Sequence, residues 1–173
     1  MKRLAGILAF AVLVMTPAAY GQASATGSVT IGAEAGLTIP TTPLLAVSGG
    51  PFNVFAAATN LTYFIRTSLT AGSGIIQMKV TSDFSPAGGP SAAGGNLKYT
   101  CTAGNPTNGG TATACVGAVT ASTTTQTVIA SFGPDARSSN GGNSASVQWS
   151  LKDDPTYKGG SYSATVTFTI SAN

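Results

Sequence analysis

The segment SYSATVTFTIS, residues 161–171, alternates between apolar and hydroxyl-bearing side chains at nearly every position. A period of two is the pattern of a β-strand that buries one face and exposes the other to solvent. The segment therefore predicts a strand with Ser and Thr on its solvated face. Its apolar face would consist of Tyr162, Ala164, Val166, Phe168 and Ile170.

The same alternation recurs along the rest of the chain, and no stretch has the 3.6-residue period of a confident helix. Glycine-rich turn signals such as GGP, NG and NGG separate the alternating runs. Short strands joined by such turns predict an all-β protein, an immunoglobulin-like antiparallel β-sandwich of about 7–9 strands. The runs cover residues 29–39, 61–69, 76–80, 97–101, 112–119, 128–132 and 145–151, besides the last strand.

The N-terminus has the features of a secretory signal peptide. Lys2 and Arg3 precede an apolar run that begins at Leu4 and ends before Pro17, and small residues follow it. The run is shorter than the roughly 20 apolar residues that span a bilayer. We expect a signal peptide at 1–23 and a single domain at 24–173, with an uncleaved anchor as the alternative. The mature protein would be secreted or held at the cell surface after passing through the periplasm, without a membrane span.

The charge of the chain is low and scattered. The whole sequence has eight Lys and Arg and five Asp and Glu, and loss of Lys2 and Arg3 with the signal peptide leaves 6 − 5 = +1. No basic face of the kind that binds nucleic acid is visible, so we expect no nucleic-acid partner. Few charges together with many Thr, Ser and Gly residues are typical of an extracellular β-protein.

The sequence contains two cysteines, Cys101 and Cys115. In an exported chain, two cysteines most simply form one disulfide. Closing a loop of about 15 residues would stabilise the fold by roughly 3 kcal/mol in the chain-entropy model. A soft metal site is a poor alternative because there is no further cysteine and no histidine to complete it.

The absence of histidine also excludes Ser-His-Asp triads, Cys-His dyads and HExxH metal sites. Asp153 and Asp154 are adjacent, and neighbours in an extended chain point to opposite faces, so they form a poor carboxylate pair for glycoside hydrolysis. We expect no enzymatic activity, no cofactor and no strong metal site. A weak calcium site stays open as an alternative, with ligands from Asp153, Asp154 or Asp135 together with Asn140 and Asn143.

The C-terminal strand carries a pattern beyond its alternation. Gly160 is fourteenth from the end of the sequence, and the second, fourth, sixth and eighth positions from the end are apolar: Ala172, Ile170, Phe168 and Val166. This arrangement resembles the last strand of chaperone–usher pilus subunits and of spore-coat-U-type secreted proteins. Two features depart from that family: Ala172 stands where an aromatic residue is usual, and the cysteines are close together and central.

The resemblance implies a strand that pairs with a periplasmic chaperone and later with the N-terminal strand of a neighbouring subunit. The run from Val29 to Ile39 could be that donor, because β-augmentation needs backbone hydrogen bonds and alternate side chains that fill pockets. Our main hypothesis is a structural subunit of a surface assembly, of pilus or coat type, whose partners are copies of itself or other subunits. Pairing of both terminal strands within one monomer is the alternative. The candidate pairing residues are Val29, Ile31, Leu37, Ile39, Gly160, Val166, Phe168 and Ile170.

A second resemblance involves Trp149 and Leu151. Together with Ser150 and the following Pro155, they are similar to the W-x-L motif of WxL cell-wall-binding domains. This resemblance implies a module that binds glycan or cell wall through exposed aromatic side chains, for which Tyr157 and Tyr162 are the candidates. On an alternating strand, however, a tryptophan is more often part of the core than a ligand platform.

Overall fold

The structure is a computed structural model that describes residues 27–40 and 42–173, and its regular elements are all β-strands. The predicted signal peptide lies outside the described residues. Within the described part of the chain, no helix is long and apolar enough to cross a membrane. The strands are β1 Glu34–Thr38, β2 Ala46–Ser48, β3 Val54–Arg66, β4 Gly74–Ser85, β5 Leu97–Ala103, β6 Ala112–Ala114, β7 Val119–Thr120, β8 Thr127–Phe132, β9 Asn143–Lys152 and β10 Ser163–Ala172.

These strands form two antiparallel sheets. Sheet A has the order β1-β3-β9-β5-β7, and β2 pairs with β3 on the same edge as β1. Sheet B has the order β10-β4-β8-β6. In a constant-type immunoglobulin sandwich one sheet has the strand order A-B-E-D, and in the other sheet strand C pairs with strand F. Here β1-β3-β9-β5 has the order of the first sheet, and the pair β4-β10 corresponds to C and F of the second. The predicted immunoglobulin-like sandwich is confirmed, and the short strands β2, β6 and β7 raise the number of strands to ten.

The inner faces of the two sheets meet in one hydrophobic core, built by the alternation that the sequence predicts. Trp149 of β9 is 5% exposed, and its indole Nε1 donates a hydrogen bond of 2.8 Å to the Thr59 hydroxyl. Because that polar group is satisfied, the indole can be buried at little cost. Other large side chains with 0–1% exposure are Tyr63, Ile76, Met78, Val80, Tyr99, Ile129 and Val147.

The run at 112–119 forms two strands in different sheets and not the single weak strand that its sequence suggests. β6 pairs with β8 in sheet B, whereas β7 pairs with β5 in sheet A. The chain crosses between the sheets at residues 115–118, where Gly117 has a positive φ of 65°. Cys115 at this crossing is bonded to Cys101 of β5, which confirms the predicted disulfide. The bond therefore connects sheet A to the segment that leaves sheet B.

The bounds of two predicted strands differ from the expectation: the first is shorter, whereas β3 is longer than the run at 61–69 because it begins at Val54. Of the run from Val29 to Ile39, only Glu34–Thr38 form a strand, which pairs with β3 of the same chain. The second run was expected to extend to Leu69, but β3 ends at Arg66 and Leu69 is 74% exposed. The chain turns there because the Gly72 amide donates to the Ser68 carbonyl, at 3.2 Å, and closes a turn.

Candidate functional site

Strand β10 forms one edge of sheet B, and its outer side has no partner strand among residues 27–40 and 42–173. It pairs with β4 from Ser163 to Ala172. In an immunoglobulin sandwich the position beyond F is occupied by strand G. The outer side of β10 corresponds to that position. Its outward backbone N–H and C=O groups are therefore available to bind an additional strand.

The side chains that β10 directs into the sandwich are less buried than those of its neighbour β4. Across this pair, Phe168 lies opposite Met78 and Ile170 lies opposite Ile76. Met78 and Ile76 are 0% exposed, whereas Phe168, Ile170 and Val166 are only partly buried. Among the strands that the structure describes, β4 has a neighbour on each side and β10 has one, which accounts for the difference. The core is incomplete along this edge.

The edge of sheet A that contains β1 and β2 lies on the same side of the sandwich. β1 is close to β10, but the two strands are not hydrogen-bonded to each other. Partly buried apolar side chains from this edge pack against the common core. We call the region between the two sheet edges the edge cleft. Its walls are Leu37 and Phe55 from sheet A, Leu45 directly before β2, and Val166, Phe168 and Ile170 from sheet B.

Residues 27–33, here called the N-terminal extension, precede β1 and carry the first part of the predicted donor pattern. Val29 is 83% exposed and Ile31 is 66% exposed. Arg66 of β3 holds the chain where β1 begins: its Nε donates to the Gly32 carbonyl at 3.1 Å, and its guanidinium pairs with the carboxylate of Glu34. The sandwich therefore holds the chain from Gly32 onward.

The structure separates the four predicted donor side chains. Val29 and Ile31 belong to the extension, whereas Leu37 lies in β1 opposite Tyr63 of the same chain. Ile39 follows the end of β1 and is 40% exposed. On the receiving side, Gly160 lies in the exposed loop before β10 and is not part of the strand.

The residues of the W-x-L resemblance lie in the core. Trp149 and Leu151 are 5% and 4% exposed and point inward from β9. Tyr162 is also packed: its ring covers Gly89, where an added Cβ would lie 2.3 Å from a ring atom, and its hydroxyl donates to the Lys158 carbonyl at 2.8 Å. The Tyr162 ring therefore packs on backbone and is not a free aromatic platform.

Two of the three acids considered for calcium, Asp135 and Asp154, pair with neighbouring cations. Asp154 accepts a hydrogen bond from Lys152 Nζ at 2.8 Å, which is the largest cause of a pKa well below the usual aspartate range. Asp135 pairs with Arg137 at 2.9 Å. In the described ranges no group of three or more His, Cys, Asp or Glu side chains is placed to hold a metal ion.

Asp83 is a polar centre that the sequence analysis did not identify. Its carboxylate accepts hydrogen bonds from the Ser91 hydroxyl at 2.5 Å and from the backbone amides of Ala92 and Phe84 at 2.7 and 2.8 Å. Burial favours the neutral acid, but these hydrogen bonds outweigh burial and lower the pKa of Asp83. The carboxylate thus fastens the loop at 86–95 to the end of β4. An aspartate next to a Gly- and Pro-rich loop was the available signal.

A shallow depression of about 440 Å³ lies beside β7 and β8, away from the edge cleft, and hydroxyl and small side chains line it.

Comparisons of the chain with protein-family models, curated proteins and solved structures gave no match.

Proposed function

We propose that this protein is a secreted structural subunit of a surface assembly, of pilus or coat type, which assembles by β-strand complementation. The edge cleft of one subunit would receive the N-terminal extension of another. The observation that carries the proposal is the incomplete burial of Phe168 and Ile170 beside an unpaired strand edge. An added strand would satisfy that edge with backbone hydrogen bonds and cover those side chains.

The N-terminal extension has the chemistry of such a strand. Val29 and Ile31 alternate with Ser28 and Thr30, so one face is apolar and the other is polar. Residues 24–33 contain no charged side chain, and an apolar cleft would have to desolvate any charge that entered it. Full burial of each aliphatic side chain contributes about 1.5–3 kcal/mol.

A subunit of this kind needs protection before it assembles. An apolar cleft beside an unpaired edge is a site for indiscriminate pairing. The expected export route and the Cys101–Cys115 disulfide are consistent with folding in an oxidising compartment such as the periplasm. A periplasmic chaperone that lends a temporary strand to the cleft is the partner that this chemistry favours.

Light scattering after size-exclusion chromatography of residues 24–173 tests the proposal. We expect polymers from this chain and a folded monomer from a chain that begins at Ala33, which retains β1. Val29→Asp with Ile31→Asp should also give a monomer, because both charges enter the cleft. Ser28→Asp with Thr30→Asp is the matched control, with equal charge on the opposite face, and should still polymerise. A folded monomer from residues 24–173 at high concentration would contradict the proposal.

The alternative of a glycan- or cell-wall-binding module gains less support. Its candidate aromatic side chains were Tyr157 and Tyr162; both are half-buried, and the Tyr162 ring packs on Gly89. Sedimentation of the monomeric variant with insoluble peptidoglycan would favour this alternative. Without such binding, strand complementation remains the function that the geometry supports best.

A further inference from the structure

Exposed apolar side chains mark both ends of the sandwich. At one end the β2–β3 hairpin presents Val47 and Phe52, which are 54% and 64% exposed. At the other end the turn after β3 presents Leu69, which is 74% exposed. The 13-residue strand β3 connects the two ends, since it begins two residues after Phe52 and ends three residues before Leu69. We call Val47 and Phe52 the hairpin patch.

The hairpin patch has features of a contact surface. Phe52 has a φ of +56°, a left-handed conformation that is an outlier for a bulky residue and carries a cost in backbone strain. Glycine would remove that cost, so an exposed phenylalanine in this turn needs a role other than stability of the monomer. The hairpin itself contains no charged side chain, and Lys152 and Asp153 lie beside its base, where Lys152 pairs with Val54 and the Asp153 amide donates to the Asn53 carbonyl at 3.3 Å.

The length of the connection between the extension and β1 restricts where that partner lies. Ile31 and Glu34 are three residues apart, so their Cα atoms are separated by at most about 11 Å. Arg66 shortens the reach further by holding the Gly32 carbonyl. A subunit whose Ile31 occupies a neighbour's edge cleft must therefore place its own sandwich directly against the end of that cleft.

The direction of the added strand identifies which ends meet. All pairs in both sheets are antiparallel, so an added strand is expected to run antiparallel to β10. Its last residues would then lie beside Ser163, where β10 begins. Ser163 pairs with Ser85 at the end of β4, which is the hairpin end of the sandwich. On the donating subunit, Glu34 pairs with Arg66, which is the Leu69 end.

We propose that the hairpin patch of each subunit packs against Leu69 of the subunit that donates its extension. The inference rests on the proposed function, and it adds a contact between the folded bodies to the contact made by the strand. The two surfaces differ and lie at opposite ends, so the interface is head-to-tail. Such an interface generates an open filament when its rotation does not close a ring.

Cysteine cross-linking tests the contact directly. The two native cysteines are bonded to each other, so an introduced cysteine is the one reactive thiol. Polymers mixed from Phe52→Cys and Leu69→Cys chains should give dimers with a short bis-maleimide. The control replaces Phe52→Cys by Val116→Cys, which is 92% exposed on the crossing between the sheets. Equal cross-linking of the two mixtures would overturn the contact.

Lysine substitutions separate this inference from the proposed function. Phe52→Lys with Leu69→Lys should slow polymer growth at least about tenfold, equivalent to 1.4 kcal/mol. A synthetic peptide of residues 24–33 should bind equally well to chains that begin at Ala33 with and without these two substitutions, because neither chain has an extension that competes for the cleft. Growth at the unmodified rate with normal peptide binding would overturn the inference alone. Failure of the peptide to bind the unsubstituted chain that begins at Ala33 would overturn the proposed function and the inference with it.

Discussion

The ring of Phe168 meets the ring of Trp149 edge-on, with centroids 6.5 Å apart and planes inclined at 72°. Phe168 belongs to the open strand of sheet B, whereas Trp149 lies in the middle of sheet A. The contact therefore connects the edge cleft to the centre of the core. Trp149 is the one tryptophan in the sequence, so its fluorescence reports on what happens beside Phe168.

A peptide of residues 24–33 should change the emission of Trp149 in a saturable way. The chain that begins at Ala33 is the receptor, because it retains the cleft and lacks the extension. Binding would exclude water near Phe168 and alter the surroundings of the indole. The control peptide carries serine at positions 29 and 31. Equal responses to both peptides would show that the alternating apolar side chains are not what the cleft binds.

Phe168→Ala should cost less stability than Met78→Ala, although the two residues face each other across the β4–β10 pair. Met78 is fully buried, and truncation of such a residue costs about 2–5 kcal/mol. Truncation of a fully buried phenylalanine to alanine costs about 3–5 kcal/mol of stability. We expect Phe168→Ala to cost under about 2 kcal/mol, because Phe168 is partly exposed. Urea unfolding of the chain that begins at Ala33 measures both. A saturating concentration of the donor peptide should increase the stability lost on Phe168→Ala and leave the stability lost on Met78→Ala nearly unchanged.

The strands and their inward faces could be predicted from local alternation, because a period of two fixes which side chains share a face. β9 and β10 are examples, with Trp149 buried in the one and Phe168 facing inward in the other. Which sheet each strand joins could not be predicted. β6 and β7 are five residues apart and join different sheets, because pairing with β8 and β5 decides the matter and local propensity does not.

The candidate site could be predicted on one side only. Val166, Phe168 and Ile170 were identified from the terminal pattern, whereas the opposite wall of Leu37, Leu45 and Phe55 was not. That wall depends on the approach of two sheet edges from distant parts of the chain, and no sequence period encodes this approach. Leu37 was expected to serve a neighbouring subunit, but its pairing with β3 places it in the wall of its own cleft.

Asp83→Asn should lower the stability of the fold at neutral pH. The variant should also lose less stability than the parent as the pH falls. The folded-state pKa of Asp83 is lowered, so its stabilising effect is complete above the unfolded pKa, about 3.9, and is lost as pH falls through the folded value. We expect a loss of about 1 kcal/mol at pH 7, because the carboxylate is partly exposed and retains some solvation. Urea unfolding at pH 7 and pH 3 measures the change. A difference between variant and parent that is the same at both pH values would contradict this role.

Replacing both Cys101 and Cys115 by alanine should lower stability by roughly 3 kcal/mol, because the closed loop constrains the unfolded chain. The bond connects β5 with the end of β6, whereas the edge cleft lies between β1 and β10. The folded variant should therefore still bind the donor peptide. Urea unfolding and the Trp149 titration give the two measurements. Loss of peptide binding by a variant that is still folded would show that the bond also shapes the cleft.

Tyr63→Phe should change how stability depends on alkaline pH. Tyr63 is 0% exposed, its hydroxyl donates to the Gly104 carbonyl, and burial raises its pKa to about 12. Between about pH 10 and 12 the unfolded chain loses this proton while the folded chain retains it, so stability falls as pH rises.

The phenylalanine variant should lose about 1 kcal/mol at pH 7, the net value of one hydrogen bond. Its deficit should shrink at pH 11, because no hydroxyl remains to ionise in the unfolded chain. Burial also raises the pKa of Tyr99, so some alkaline loss should persist in the variant. Urea unfolding at both pH values measures the deficit. A deficit that grows between pH 7 and pH 11 would contradict the assignment of the buried proton to Tyr63.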